Sequence, residues 1–296
     1  MKITSLSTHA AWLSFRNSFP KGAIIGFVPT MGALHRGHLA LVQQALSECE
    51  LVIASIFVNP TQFNHVDDFT AYPLDVENDL AALDSIGCHA AFIPNVATLY
   101  PDGPVSENYD LLGLDLVLEG ALRPGHFQGV ATVVDRLFDL IQPDRAYFGL
   151  KDYQQVKVIE RLATLRGGKP SIVACPIVRE DNGLAMSSRN RRLTKAQTRE
   201  AAVIFEALRF AEAELSWFPV PSLALKREMR AMIQATGSLR VDAIDFALAD
   251  SLQPVRDPDR PLDRYSEPIQ CFVSAFAGDV RLIDTHCIVP KGPIEG

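Results

Sequence analysis

A chain of 296 residues that is 48% hydrophobic and 21% charged carries enough apolar side chain for one extended core or two, which excludes a disordered protein. Its formal charge of -7 is scattered, with no Lys/Arg run long enough to track a nucleic-acid backbone, so no tRNA or DNA partner is expected. The start, MKITSLSTHAAWLSF, lacks a sustained apolar stretch and no segment reaches membrane-span length, so the expectation is a cytoplasmic protein without a membrane partner.

In chain order, the first buried strand is expected at Ala23-Ile24-Ile25-Gly26-Phe27-Val28, ended by Pro29. Leu39, Val42, Ala45, Leu46 and Cys49 then recur at helical spacing, and Leu51 to Val58 reads as a second strand, completing a βαβ unit. Between them runs PTMGALHRGH, Pro29 to His38, with two histidines at i and i+3. Strand, tight turn and helix start predict a phosphate socket, in which unpaired N–H groups and the positive helix end face the carboxyl edge of the sheet. Gly32 and Gly37 let the backbone come close to the anion. A lone histidine at a helix start is otherwise an ordinary cap; the strand-turn-helix placement favours chemistry. HxGH in that setting resembles the nucleotidylyl-transferring superfamily that includes class I aminoacyl-tRNA synthetases, which implies a nucleoside triphosphate as substrate.

The alternation continues: helix at Asp75 to Ile86, strand at His89 to Ile93, helix at Gly129 to Ile141, strand at Arg145 to Phe148, helix at Asp152 to Arg166 and strand at Ser171 to Val178. This predicts an α/β fold, a doubly wound Rossmann-like parallel sheet with its ligand at the carboxyl ends of the strands. Past Arg179 the texture changes to two helices, Lys195 to Leu215 and Pro221 to Ala235, and strands at Ala243 to Leu248 and Gln270 to Ala277. A second, smaller α+β C-terminal domain is therefore expected, dividing the chain into 1–180 and 181–296. The five cysteines stand far apart with no CxxC and read as reduced core residues; no metal-ligand spacing appears among the histidines.

Three further segments place polar residues where a loop leaves a strand. Asn59-Pro60-Thr61-Gln62-Phe63 offers two amides beside an aromatic, suited to a small ligand with hydroxyl and carboxylate groups, although taken alone it is better explained as an Asn-Pro turn with a solvated Gln. Gly149-Leu150-Lys151-Asp152 again runs from strand to helix, with Lys151 in place to reach phosphate, Asp152 a natural N-cap and Gln155 one turn further on the same edge. In Met186-Ser187-Ser188-Arg189 the hydroxyls and guanidinium are expected to be free for phosphate, because Thr194 and Gln197 already make a capping box for the helix from Lys195.

PTMGALHRGH, SIFVNPTQF, LEGALRPGHFQGVATVV, FGLKDYQQ and MSSRNRRL, in this order, resemble the pantothenate synthetase family, with an echo of its tail in Ala275 to Asp284. Leu150 stands where similar enzymes often carry Glu. The resemblance implies ATP-dependent condensation of (R)-pantoate with β-alanine through a pantoyl adenylate, with ATP as substrate, Mg2+ bound mainly through its phosphates and no metal held by protein ligands. It assigns ATP to Met31, Gly32, Ala33, Leu34, His35, Arg36, Gly37, His38, Gly149, Leu150, Lys151, Asp152, Val178, Met186, Ser187, Ser188 and Arg189. His38 takes the role of proton donor, with His35 and Lys151 beside it as catalytic residues. Gln62 and Gln155 are assigned to pantoate, Gln62 also bordering β-alanine, with Phe63 and Met31 receiving the gem-dimethyl group and Asn59 a weaker candidate. Members of the family are dimers, which implies a homodimer.

Two other classes compete. An HxGH adenylyltransferase joining AMP to a phosphorylated metabolite shares His35 and His38 but has no need of the NPTQF and KDYQQ amides. A dehydrogenase requires a GxGxxG turn after the first strand, and Gly22, Gly26 and Gly32 do not supply that spacing. The polar segments Asn64 to Pro73 and Met186 to Arg189 lack a periodic apolar face and are expected to be ordered by ATP with pantoate.

Overall fold

The computed structural model describes residues 2–62, 72–217, 219–265 and 267–288. The chain divides into two compact units, Met1–Leu150 with Gln154–Pro176, and Lys151–Tyr153 with Ile177–Gly296. Val178 belongs to a hairpin of the second unit: its carbonyl accepts from Met186 N at 3.0 Å, and Glu180 N donates to Leu184 O at 2.8 Å.

The first unit is built on a six-stranded sheet: β1 (Thr4–Leu6), β2 (Ile25–Thr30), β3 (Leu51–Ile56), β4 (Ala90–Phe92), β5 (Arg145–Gly149) and β6 (Ser171–Cys175). Every pairing is parallel and the spatial order is β1-β4-β3-β2-β5-β6. Among the helices are α1 (His9–Arg16), α2 (Arg36–Glu48), α3 (Val76–Ser85), α4 (Val96–Leu99), α5 (Leu118–Leu122), α6 (His126–Ile141) and α7 (Tyr153–Leu165). They cover both faces. On one face Val28 packs in a common core with Leu41, Val42 and Ala45 of α2; strand alternation turns Phe27 to the other face, where its ring meets Phe138 of α6 edge-on at 6.3 Å. The sheet is thus doubly wound. Winding proceeds from β2 through β3 to β4 on one side and from β5 to β6 on the other, so β2 and β5 flank the switch point, and the carboxyl ends beside it form the natural ligand crevice of such a sheet.

Pro29 does not end β2; the strand runs on to Thr30, paired with β3 at Pro29↔Ser55 and Thr30↔Ile56. The ladder from β2 to β5 covers only Gly26 and Phe27, so Pro29 lies beyond it and its missing N–H leaves no partner on β5 unmatched.

The second unit carries an antiparallel sheet of β7 (Leu239–Leu248), β8 (Ile269–Ala277) and β9 (Val280–Ile288), with α8 (Lys195–Glu200), α9 (Val203–Trp217) and α10 (Ser222–Gln234). Its core joins Ile204, Leu208 and Ala211 of α9 with Met229 and Ile233 of α10 and Phe246, Val273 and Leu282 of the strands. The single helix expected over Lys195 to Leu215 breaks after Glu200. Ala201 and Ala202 in the break are 0% and 7% exposed, so the apolar stripe runs across it and periodicity alone does not reveal it. All five cysteines are unpaired, four of them buried; Cys287 is exposed, against the expectation of a core residue.

Candidate functional site

Beyond β2 the chain turns through two left-handed residues, Gly32 (φ 82) and Ala33 (φ 51). The left-handed region is costly for alanine, by about 1 kcal/mol, so something must hold it there. The holder is Asp79 on α3, 3% exposed, whose carboxylate accepts from Ala33 N at 2.9 Å and Leu34 N at 2.7 Å. A Cβ on residue 32 would lie 2.8 Å from that carboxylate, so glycine is required for contact as well as for φ. Thr30 Oγ1 donates to Ser55 O at 2.6 Å and accepts from Gly32 N at 3.2 Å, tying the turn to β3.

The two histidines then cap their own helix. His35 is the N-cap of α2 and its Nδ1 accepts from Gly37 N at 3.1 Å, while His38 Nδ1 accepts from His35 N at 3.4 Å, closing a capping box with the rings 4.0 Å apart. This changes the expected socket. The N–H groups of Gly32, Ala33, Leu34, His35 and Gly37 already have acceptors within the chain, so the turn does not offer an open row of backbone donors. What it offers is set by the tautomer: a ring whose Nδ1 accepts carries its neutral-state proton on Nε2, so both histidines are Nε2–H donors at the positive end of a 13-residue helix.

After β3, Asn59 is 1% exposed and its amide is fully engaged: Nδ2 donates to Gly129 O at 3.1 Å, and Oδ1 accepts from Tyr100 OH at 2.7 Å and Thr61 N at 3.3 Å. Asn59 therefore holds the Pro60–Gln62 turn, the donors and acceptors of its side chain all being engaged within the chain. Gln62 is the residue so presented. Its Nε2 lies 2.8 Å from Met31 Sδ and its Oε1 accepts from Asn59 Nδ2 at 3.3 Å, bringing Met31 and Gln62 together. Phe63 and the stretch from Asn64 to Ala71, most of the segment expected to be ordered by substrate, lie outside the described residues.

The segment after β5 is a 3-10 turn, Leu150–Asp152, continuous with α7, so Asp152 lies inside helical backbone and is not an extended N-cap. Gln154 is 5% exposed and donates to Leu114 O and Val117 O at 2.7 and 2.8 Å, which makes it a brace, while Gln155 beside it is half-buried.

Lys151 belongs to the second unit, where it lines a small crevice with Ser187, Arg189 and Asn190. Its side chain is 15% exposed and its ammonium stands 3.9 Å from Asp152. Met186 is buried on the hairpin with Val178, and Arg189 is exposed. Ser187 is the N-cap of the 3-10 turn Ser188–Arg192, its hydroxyl oxygen accepting from Arg189 N at 3.3 Å. The hairpin is anchored by Arg179, which makes a bidentate pair with buried Asp284 at 2.6 and 3.1 Å and lies 3.6 Å over the Phe205 ring. Asp79 and Asp284 escape a reading of the sequence, because each is a single charged residue without local signature.

The family model described as Pantoate-beta-alanine ligase matches residues 2–287. A pantothenate synthetase of Cytophaga hutchinsonii is 42% identical over 271 residues, 91% of this chain and 93% of that protein. One from Acidiphilium cryptum is 45% identical over 266 residues, 90% of this chain and 92% of its own. Among solved structures, pantothenate synthetase from Thermus thermophilus superposes with a TM-score of 0.84 at 40% identity, covering 97% of this chain and 100% of that one. Pantoate-beta-alanine ligase from Francisella tularensis, complexed with beta-gamma ATP and β-alanine, superposes at 0.78 with 35% identity, covering 96% and 97%.

Proposed function

The chain belongs to the pantoate-beta-alanine ligase family and is an ATP-dependent ligase of pantoate and β-alanine, and we propose that it works through an enzyme-bound pantoyl adenylate. A carboxylate oxygen of pantoate attacks the α-phosphorus of ATP, the bond to the β-phosphate breaks and pyrophosphate leaves. The neutral amine of β-alanine then attacks the activated carbonyl, the acyl–oxygen bond breaks and AMP leaves. No covalent enzyme intermediate is needed; alignment and stabilisation of phosphate charge supply the rate.

The observation that carries this assignment of roles is the capping box of His35 and His38. It fixes two Nε2–H donors at the start of α2, beside the switch point between β2 and β5. We assign Met31 to His38, Gly149 to Asp152, Val178 and Met186 to Arg189 to ATP, His38 as proton donor to the departing phosphate oxygen, and Lys151 as a point charge on the phosphates. Gln62 and Gln155 hold pantoate by its hydroxyl and carboxylate oxygens. Mg2+ enters with its substrate, held mainly by phosphate oxygens, as this ion favours.

Two further properties belong to this reading. Val105, Leu112, Leu116 and Leu122 are 62–72% exposed within one stretch of the first unit, apolar side chains that a second copy in a homodimer would cover. Unpaired buried cysteines suit the reducing cytoplasm. The test of the whole is incubation with ATP, Mg2+, pantoate and β-alanine, following AMP with each omitted in turn. Steady AMP release that requires all substrates is expected; AMP formation without pantoate, or a dinucleotide product, refutes it.

A further inference from the structure

The segment Arg123-Pro124-Gly125-His126 has no part in the roles above, yet two of its side chains converge on one atom of the candidate pantoate residue. His126 Nδ1 lies 2.8 Å and an Arg123 guanidinium nitrogen 3.3 Å from the backbone carbonyl oxygen of Gln62. The other terminal nitrogen of Arg123 lies 3.3 Å from His126 Nε2. A guanidinium only donates, so Nε2 accepts, the neutral ring carries its proton on Nδ1, and that proton is donated to the Gln62 carbonyl. A single tautomer satisfies all three contacts. Gly125, left-handed at φ 80, is the N-cap of α6, so the chain turns sharply between Arg123 and His126 and brings both to the same oxygen. Glu119 stands 3.7 Å from Arg123 and adds an ion pair from one helical turn earlier.

The same turn is held at its other end. Asn59 bonds Gly129 O, and a Cβ on Gly129 would lie 2.3 Å from Thr61 O, so α6 and the Pro60–Gln62 turn pack backbone against backbone. The turn is fixed at both ends to the start of α6. Its open side forms, with Ser106, Asn108 and Gln128, a polar pocket of about 280 Å³ that includes Gln62 and His126.

We propose that Arg123 and His126 are positioning residues for pantoate: by holding the Gln62 carbonyl they set the direction in which its side-chain amide meets the substrate. The inference rests on the reading of Gln62 as a pantoate contact. A substrate-orienting group displaced by about 1 Å costs on the order of a hundredfold in rate, so a dyad that fixes one is of direct consequence.

Steady-state kinetics on the full-length protein separate the two ideas. Gln62→Ala is expected to raise the pantoate KM; a native value refutes the reading of Gln62 itself. His126→Asn places an amide nitrogen where Nδ1 stands and is expected to restore the native pantoate KM. His126→Gln and His126→Ala lack a donor there and are expected to raise it about tenfold, with the ATP KM unchanged. Arg123→Lys keeps the charge but loses the fork that reaches both Gln62 and His126, and is expected to show the same pantoate-specific rise, so the proposal stays testable if His126→Ala fails to fold. In a Gln62→Ala background, His126→Ala is expected to add nothing. A native pantoate KM in His126→Ala beside a raised one in Gln62→Ala overturns the positioning role. So does an Asn variant that behaves like Gln, or losses that multiply in the double variant.

Discussion

Substitution of His38 tests two functions that meet in one ring. Its Nδ1 accepts from His35 N at 3.4 Å as half of a capping box, and its Nε2 is the proton-bearing nitrogen we assign to the phosphates. His38→Ala removes both. Loss of the cap costs about 1 kcal/mol, within a range of roughly 0.5–2, which lowers the melting temperature of a unit this size by about 2–4 °C. Against a total stability of roughly 5–15 kcal/mol this leaves the protein folded at 25 °C. Loss of the Nε2 donor is expected to slow adenylation by about a hundredfold or more, about 2.7 kcal/mol in the barrier.

The two effects come apart in the amide variants. In His38→Asn the amide oxygen stands where Nδ1 did and restores the cap, but nothing replaces Nε2. His38→Gln keeps the cap, its amide oxygen accepting from His35 N as Gln197 does from Thr194 N, and offers an amide N–H in place of Nε2–H. Rapid-quench measurement of pyrophosphate release, paired with thermal melts, is expected to give a near-native melt with lost adenylation for His38→Asn, a near-native melt with part of the rate recovered for His38→Gln, and a lowered melt with lost adenylation for His38→Ala. Near-native adenylation in His38→Asn, or a loss of rate that tracks the fall in melting temperature across all three variants, refutes the catalytic role and leaves His38 only a cap.

Lys151→Ala is expected to slow pyrophosphate release about a hundredfold while leaving the β-alanine step unchanged; the opposite pattern in rapid quench places the lysine in the wrong half-reaction. Gly129→Ala would bring a Cβ to 2.3 Å from Thr61 O, and the forced shift is expected to lower stability by about 1–3 kcal/mol and raise the pantoate KM, read by denaturant melts and kinetics. Asp284→Asn leaves the Arg179 guanidinium, 16% exposed, without its buried carboxylate and is expected to cost about 3–5 kcal/mol; an unchanged melt refutes the anchoring role. Hydrogen exchange of Met186 to Arg189 is expected to slow with ATP and pantoate together and to change little with β-alanine alone; equal protection by β-alanine reverses the proposed order of binding.

What was legible in the sequence was whatever repeats locally. The strands β2 to β6 and helix α6 show as apolar runs and stripes, and the switch-point loops show as polar segments punctuating them. Elements without such a run did not show: β1 is Thr4-Ser5-Leu6, with a single apolar side chain, and β9 mixes Asp284, Thr285 and His286 into its apolar positions because they serve partners across the second unit. The helix expected over Lys195 to Leu215 concealed its break under two buried alanines.

The candidate site divides along the same physical line. His35, His38, Gln62 and Lys151 stand out because loops between strong elements carry little else, but what holds them is distant in sequence. Asp79 lies in a helix whose sequence, DVENDL, reads as a solvated face, yet it lies 46 and 45 residues from the amides of Ala33 and Leu34 that it binds. Arg179 meets Asp284 across 105 residues. Such bonds have no period, so no window along the chain contains both partners. The error in the expected socket has the same origin: a helix start looks like open N–H groups until the acceptors that close them are known, and here two bonds go to Asp79 of α3, one to Thr30 and two to the motif's own histidines. The consequence reaches the chemistry. With those amides closed, the proposed role on the phosphates falls to side chains, for α2 the Nε2–H groups of His35 and His38, and substitutions there are expected to act on rate far more than on fold.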